Sequence, residues 1–98
     1  MKTSQKGIEL IKMHEGLRLR SYLCAAGHYT VGFGHTRTAA ANLTISRQLA
    51  EDLLMQDLQF AEIAVSSSGV LLNQNQFDAL VSFAFNLGST EFRESAIL

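Results

Sequence analysis

Proline is absent from these 98 residues, cysteine occurs once, and neither sign of charge prevails. Without proline, helix ends must be set by glycine and by capping side chains. A single cysteine cannot close an internal disulfide, and no Cys/His spacing suits zinc, so neither a bridge nor a metal is expected to hold the fold. The net charge of −1 offers no long-range attraction to phosphates, and nucleic acid is excluded as a partner. No apolar run approaches the roughly 18–20 residues of a membrane span, and the opening MKTSQKGIELIKMHEG has no apolar stretch long enough for a signal peptide. The expectation is a protein made soluble in the cytoplasm, with no membrane insertion. One further absence is local, since no Asp or Glu occurs between residues 16 and 50.

What remains is the composition of a globular protein, 47% hydrophobic and 17% charged, of a length that fits one domain over residues 1–98 with a thin core. Ser4 can cap a first helix with Ile8, Ile11 and Glu15 on one face, and Gly16 supplies its stop, which places Glu15 in the last turn. From Leu17 to His35 the period changes to two, predicting a hairpin turned at Ala25-Ala26-Gly27. A loop of that length pairs Cys24 with His28 and Tyr22 with Thr30, and sets all four side chains on one polar face beside Glu15. Thr44 or Ser46 can cap a second helical run over 46–66, as one helix or two, with Leu49, Leu53, Leu54, Leu58, Ala61 and Val65 at helical spacing. A third run, NQNQFDALVSFAFNLG, begins at Asn73 or Asn75 and carries Phe77, Leu80, Val81, Ala84 and Phe85 on one side and Ala79, Phe83 and Leu87 on the other. A helix apolar nearly all round expects partners on every side. With Leu98 ending the sequence soon after, a homodimer or swapped oligomer through these uncovered faces is expected.

Chemistry concentrates in HEGLRLRSYLCAAGHYTVGFGHT, residues 14–36, which holds Glu15, Cys24 and all three histidines. A carboxylate at a helix C-terminus faces the negative end of the backbone dipole, and partial burial disfavours its charge further. Both effects raise its pKa toward the range of a general acid, while Lys12, Arg18 and Arg20 pull the other way. The plain alternative is a surface glutamate. Cys24 packs equally well as a small hydrophobe, and Thr30 is by itself a good strand residue.

Together these residues resemble the catalytic signature of the phage-type lysozymes, the muramidases of phage and prophage endolysins. In that family a glutamate followed by glycine precedes an Asp or Cys nine positions on and a Thr six beyond, running into T-[IV]-G-[YF]-G-H. Here the pattern is Glu15-Gly16, Cys24 and Thr30-Val31-Gly32-Phe33-Gly34-His35. The similarity continues more loosely through QLAEDLL at 48–54, NQNQFDALVSFAFNLG and FRESAIL.

The resemblance implies an α+β, lysozyme-like fold: an N-terminal helix, a small antiparallel hairpin or three-stranded sheet within a β-subdomain of about 17–36, then helices, the helical lobe incomplete because relatives continue further. It implies a peptidoglycan hydrolase that cleaves the bond between N-acetylmuramic acid and N-acetylglucosamine. Glu15 would donate the proton, Cys24 would stand in for the usual aspartate, and Thr30 would hold the attacking water. Gly34, Thr36, Phe85 and Asn86 would line the sugar cleft between sheet and helices. Phe85 reads more readily as core. No metal or organic cofactor is implied, because the reaction needs only protons and water. The substrate partner would be peptidoglycan glycan strands, reached in the periplasm after a holin opens the membrane, with no direct holin contact. Two alternatives are a truncated, inactive relic that binds glycan or self-associates, and a thiol peptidase using Cys24 with His28 or His35.

Overall fold

A computed structural model of the protein describes residues 1–24 and 27–87, with Leu87 described by its backbone alone. Helix α1, Gln5–Glu15, opens where the Ser4 hydroxyl accepts the backbone N–H of Gly7 at 3.1 Å. It closes at Gly16, whose φ of 72° is the left-handed conformation that ends a helix, and whose N–H reaches the Lys12 carbonyl at 2.9 Å. Start and stop are those expected from the sequence, and Glu15 is the last helical residue.

Strands β1 (Arg18–Leu23) and β2 (Tyr29–Gly32) form an antiparallel pair. Tyr22 faces Thr30 as expected, and Cys24 N–H donates to the His28 carbonyl at 2.9 Å. Ala25 and Ala26 of the expected loop lie outside the described residues. Both strands are shorter than the period of two from Leu17 to His35 predicts. In β1 the ladder is interrupted between Arg18 and Tyr22, because Leu19 and Ser21 bond to the 43–45 segment instead. Ser21 N–H donates to Leu43 and Ile45 N–H to Leu19, each at 2.8 Å, and Arg20 bridges Thr44. The sheet is therefore a two-stranded ladder with a short bridging segment beside it. In β2 the strand stops at Gly32, and Val31 and His35 exchange both backbone hydrogen bonds across a tight turn. The chain doubles back there rather than running extended to His35.

Helix α2, Arg47–Ser66, is one helix, capped by the Ser46 hydroxyl, which accepts from Leu49 N–H at 3.0 Å. Its buried stripe is Ala50, Leu54, Leu58, Ala61 and Val65. Leu49, expected on that stripe, is 43% exposed because it stands one position, about 100° of helical turn, before Ala50. Helix α3, Gln74–Leu87, begins with a reciprocal cap between Asn73 and Gln76. Its stripe of Phe77, Val81 and Ala84 is buried, whereas Ala79 and Phe83 on the other side are exposed.

The chain divides into two compact units. One comprises residues 1–11 and those from Asp57 on. It is tied by Thr3, whose N–H and hydroxyl both donate to Oε2 of Glu62 at 2.7 Å, and by Ser4, whose N–H and hydroxyl donate to the Asp78 carboxylate. The other runs from Lys12 to Gln56 and holds the end of α1, the hairpin, the turn at 32–36 and the first half of α2. Its core is Val31, Phe33, Ile45, Ala50 and Leu54. No described helix is long and apolar enough to cross a membrane.

Candidate active site

Five of the residues singled out in the sequence, Glu15, Cys24, Thr30, Gly34 and Thr36, belong to the Lys12–Gln56 unit. Phe85, half-buried, and Asn86, exposed, lie on α3 in the other unit.

Glu15 is half-buried at the end of α1. Burial pushes its carboxyl above the usual glutamate range, and the neighbouring His14 opposes this only in part. The three cations expected to pull it down are engaged elsewhere. Lys12 Nζ contacts Oε1 of Glu51 at 2.6 Å, Arg18 stacks 4.6 Å from the Tyr22 ring centre, and Arg20 donates to Oδ1 of Asn42 at 3.2 Å.

Gly34 is the residue against which the Glu15 carboxylate packs. It has a φ of 79°, and a Cβ built on it would lie 2.5 Å from Oε1 of Glu15. The sequence marked Gly34 for the sugar cleft; what the structure shows is a neighbour of the acid. The loop that carries it is pinned by His35, 3% exposed, whose Nε2 accepts the Thr38 N–H at 3.2 Å and lies 2.7 Å from the Thr38 hydroxyl. The sequence raised His35 only as a thiol partner, and this capping role depends on a turn that strand periodicity concealed.

Thr30 is 5% exposed, and its hydroxyl donates to the His28 carbonyl at 3.3 Å, which leaves its oxygen lone pairs as acceptors. Cys24 is half-exposed, and Thr36 is exposed. Because Tyr22 faces Thr30 and Cys24 bonds to His28, Cys24 and Thr30 are diagonal neighbours on the ladder, a relationship that in hairpins spans about 7–8 Å.

Residues 12–98 match the family model described as phage lysozyme. The chain belongs to the phage lysozyme family. It is 42% identical over 99 residues to an endolysin of Acyrthosiphon pisum secondary endosymbiont phage 1, covering all of this chain and 68% of that protein. It is likewise 42% identical over 104 residues to the endolysin of Salmonella phage P22, of which it covers 71%. Among solved structures, the muramidase domain of SpmX from Asticaccaulis excentricus superposes with a TM-score of 0.85 at 41% identity, over 95% of this chain and 64% of that one. The α+β order of helix, antiparallel hairpin and helices is thus lysozyme-like, and the chain spans about two thirds of the length of these family members.

Proposed function

We propose that this chain is a peptidoglycan hydrolase, a muramidase that cleaves the β-1,4 bond between N-acetylmuramic acid and N-acetylglucosamine. The observation that carries the proposal is Glu15, a half-buried carboxyl at a helix end whose pKa is raised by burial and whose flank is closed by Gly34. The family's other members, named as endolysins and a muramidase, support the same reaction.

Glycoside cleavage passes through an oxocarbenium-like transition state, which needs an acid at the leaving oxygen and a base or nucleophile at the opposite face of the sugar. Glu15 gives its proton to the glycosidic oxygen as that bond to the anomeric carbon breaks. A water held by Thr30 loses its proton to the Cys24 thiolate and attacks the anomeric carbon. The products are two shortened glycan chains, with Glu15 left ionised and Cys24 protonated until solvent resets both. A diagonal spacing of about 7–8 Å between Cys24 and Thr30 leaves room for one water, which favours inversion over a covalent intermediate. Gly34 and Thr36 are proposed to contact the sugar.

The chain would accumulate in the cytoplasm of its bacterial host and meet peptidoglycan once a holin has opened the membrane. Self-association through α3 is part of the proposal, and light scattering across a concentration series checks it. The activity is tested by the turbidity of permeabilised Gram-negative cells. Wild-type protein should clear the suspension and Glu15→Gln should not; a folded wild-type sample that leaves the turbidity unchanged contradicts the proposal.

A further inference from the structure

Lys12, Phe33 and Glu51 have no part in the chemistry above, yet they meet around a single charge. Lys12 stands three residues before Glu15 on α1. Residues so spaced on a helix are neighbours, with Cβ atoms about 5–6 Å apart, so a lysine there can reach the glutamate carboxylate. An opposite charge that close lowers a carboxyl pKa by about 1–3 pH units, and an acid held in that way has no proton to give near neutrality.

The structure sends the ammonium elsewhere. Lys12 Nζ lies 2.6 Å from Oε1 of Glu51 on α2 and 5.6 Å from the centre of the Phe33 ring, within the range of a cation–π contact. Phe33 is 5% exposed and immediately precedes Gly34, so its ring is a fixed platform in the turn that packs on Glu15.

We propose that Glu51 is a positioning residue for the Glu15 acid: it draws the Lys12 ammonium onto α2 and across Phe33, and so denies Glu15 the cation that helical spacing would set beside it. The proposal rests on Glu15 being the proton donor. The other charged groups of this unit are accounted for on each element. From α1, His14 acts on Glu15. From β1, Arg18 lies over Tyr22 and Arg20 holds Asn42. From the 28–38 segment come His28, His35, which is bonded to Thr38, and Arg37, which has a partner of its own. From α2, Arg47 joins Lys12 in acting on Glu51, and Asp52 accepts from Gln48. Glu9, three residues before Lys12, accepts from Gln5 and is the one carboxylate on α1 that competes with Glu15 for a released ammonium.

The experiment follows the side-chain carboxyl of Glu15 by carbon NMR through a pH titration of the full chain, without substrate. Glu51→Gln, and the E9Q/E51Q pair that also removes the competitor, should lower the Glu15 midpoint by about one pH unit. Adding Lys12→Met to either should restore the wild-type midpoint, and Lys12→Met alone should leave it unmoved. A midpoint unchanged in both Glu51 variants overturns the proposal, as does a lowered midpoint that persists without Lys12. If the midpoints move as stated while wild-type protein fails to clear cells, the muramidase assignment fails and only the electrostatic coupling of Glu51, Lys12 and Glu15 stands; if cells clear and the midpoints stay, the muramidase assignment stands and the positioning role fails.

Discussion

The carboxylate of Glu15 fills the space in which a side chain at position 34 would lie, so that a Cβ on Gly34 would come within 2.5 Å of Oε1. Two residues 19 positions apart are thereby made interdependent, the glycine by its missing side chain and the acid by the wall this provides. Gly34→Ala should displace the carboxylate rather than the backbone, because the contact is with the end of a flexible side chain. The left-handed φ adds a cost of about 1–2 kcal/mol. The expected outcome is a modest fall in the urea midpoint together with a large fall in peptidoglycan hydrolysis.

Burial of Glu15 also affects stability, with a sign that can be worked out. Its folded-state pKa lies above the ordinary 4.5, so between the two values the folded protein binds more protons than the unfolded chain. Its contribution is fully present below the unfolded value and is lost as pH rises through the folded one. Glu15→Gln removes the charge that burial penalises. The variant should therefore match wild type in urea melts well below pH 4.5 and exceed it near neutrality.

Asp78 behaves in the opposite sense. Burial pushes its carboxyl up, but hydrogen bonds from the Ser4 hydroxyl and N–H and from Gln74 outweigh this and hold it below the ordinary 3.8. Its contribution is present above the unfolded pKa and is lost as pH falls through the folded one. Asp78→Ala strands the Ser4 N–H and should cost about 1–3 kcal/mol near neutrality. That difference should shrink in urea melts well below pH 3.8.

In the proposed mechanism Cys24 stands in for the aspartate of the family pattern it resembles. If its thiolate is the base for water, Cys24→Asp should retain hydrolysis, and Cys24→Ser, whose hydroxyl is a far weaker base, should lose about 10²–10⁴-fold. Initial rates on purified peptidoglycan measure both, and the anomer first released, followed by proton NMR, should be the inverted one.

Helix ends and the hairpin register were legible in the sequence because they depend on neighbours a few residues apart. Ser4, Gly16, Ser46 and Asn73 act within one turn of the helix they bound, and Tyr22 met Thr30 as loop length required. The interruption of the β1 ladder between Arg18 and Tyr22 was not legible, nor was the end of β2 at Gly32. Both depend on the 43–45 segment and on the Val31–His35 turn, which take hydrogen bonds that a regular hairpin would keep. At the candidate site the acid could be placed at its helix end from Gly16 alone. Its electrostatic setting could not, because the partner of Lys12 lies 39 residues away on α2, and local spacing suggested that lysine as a neighbour of Glu15. The Ser4–Asp78 tie, 74 residues long, was hidden for the same reason.

The most direct test of the account is the chemistry of the ends that the protein leaves on peptidoglycan. Purified sacculi digested with wild-type protein and reduced with borohydride should yield muramitol at the new termini, and Glu15→Gln should yield none above background. Reduced glucosamine ends, new peptide amino termini, or undiminished cleavage by the Glu15 variant would contradict it.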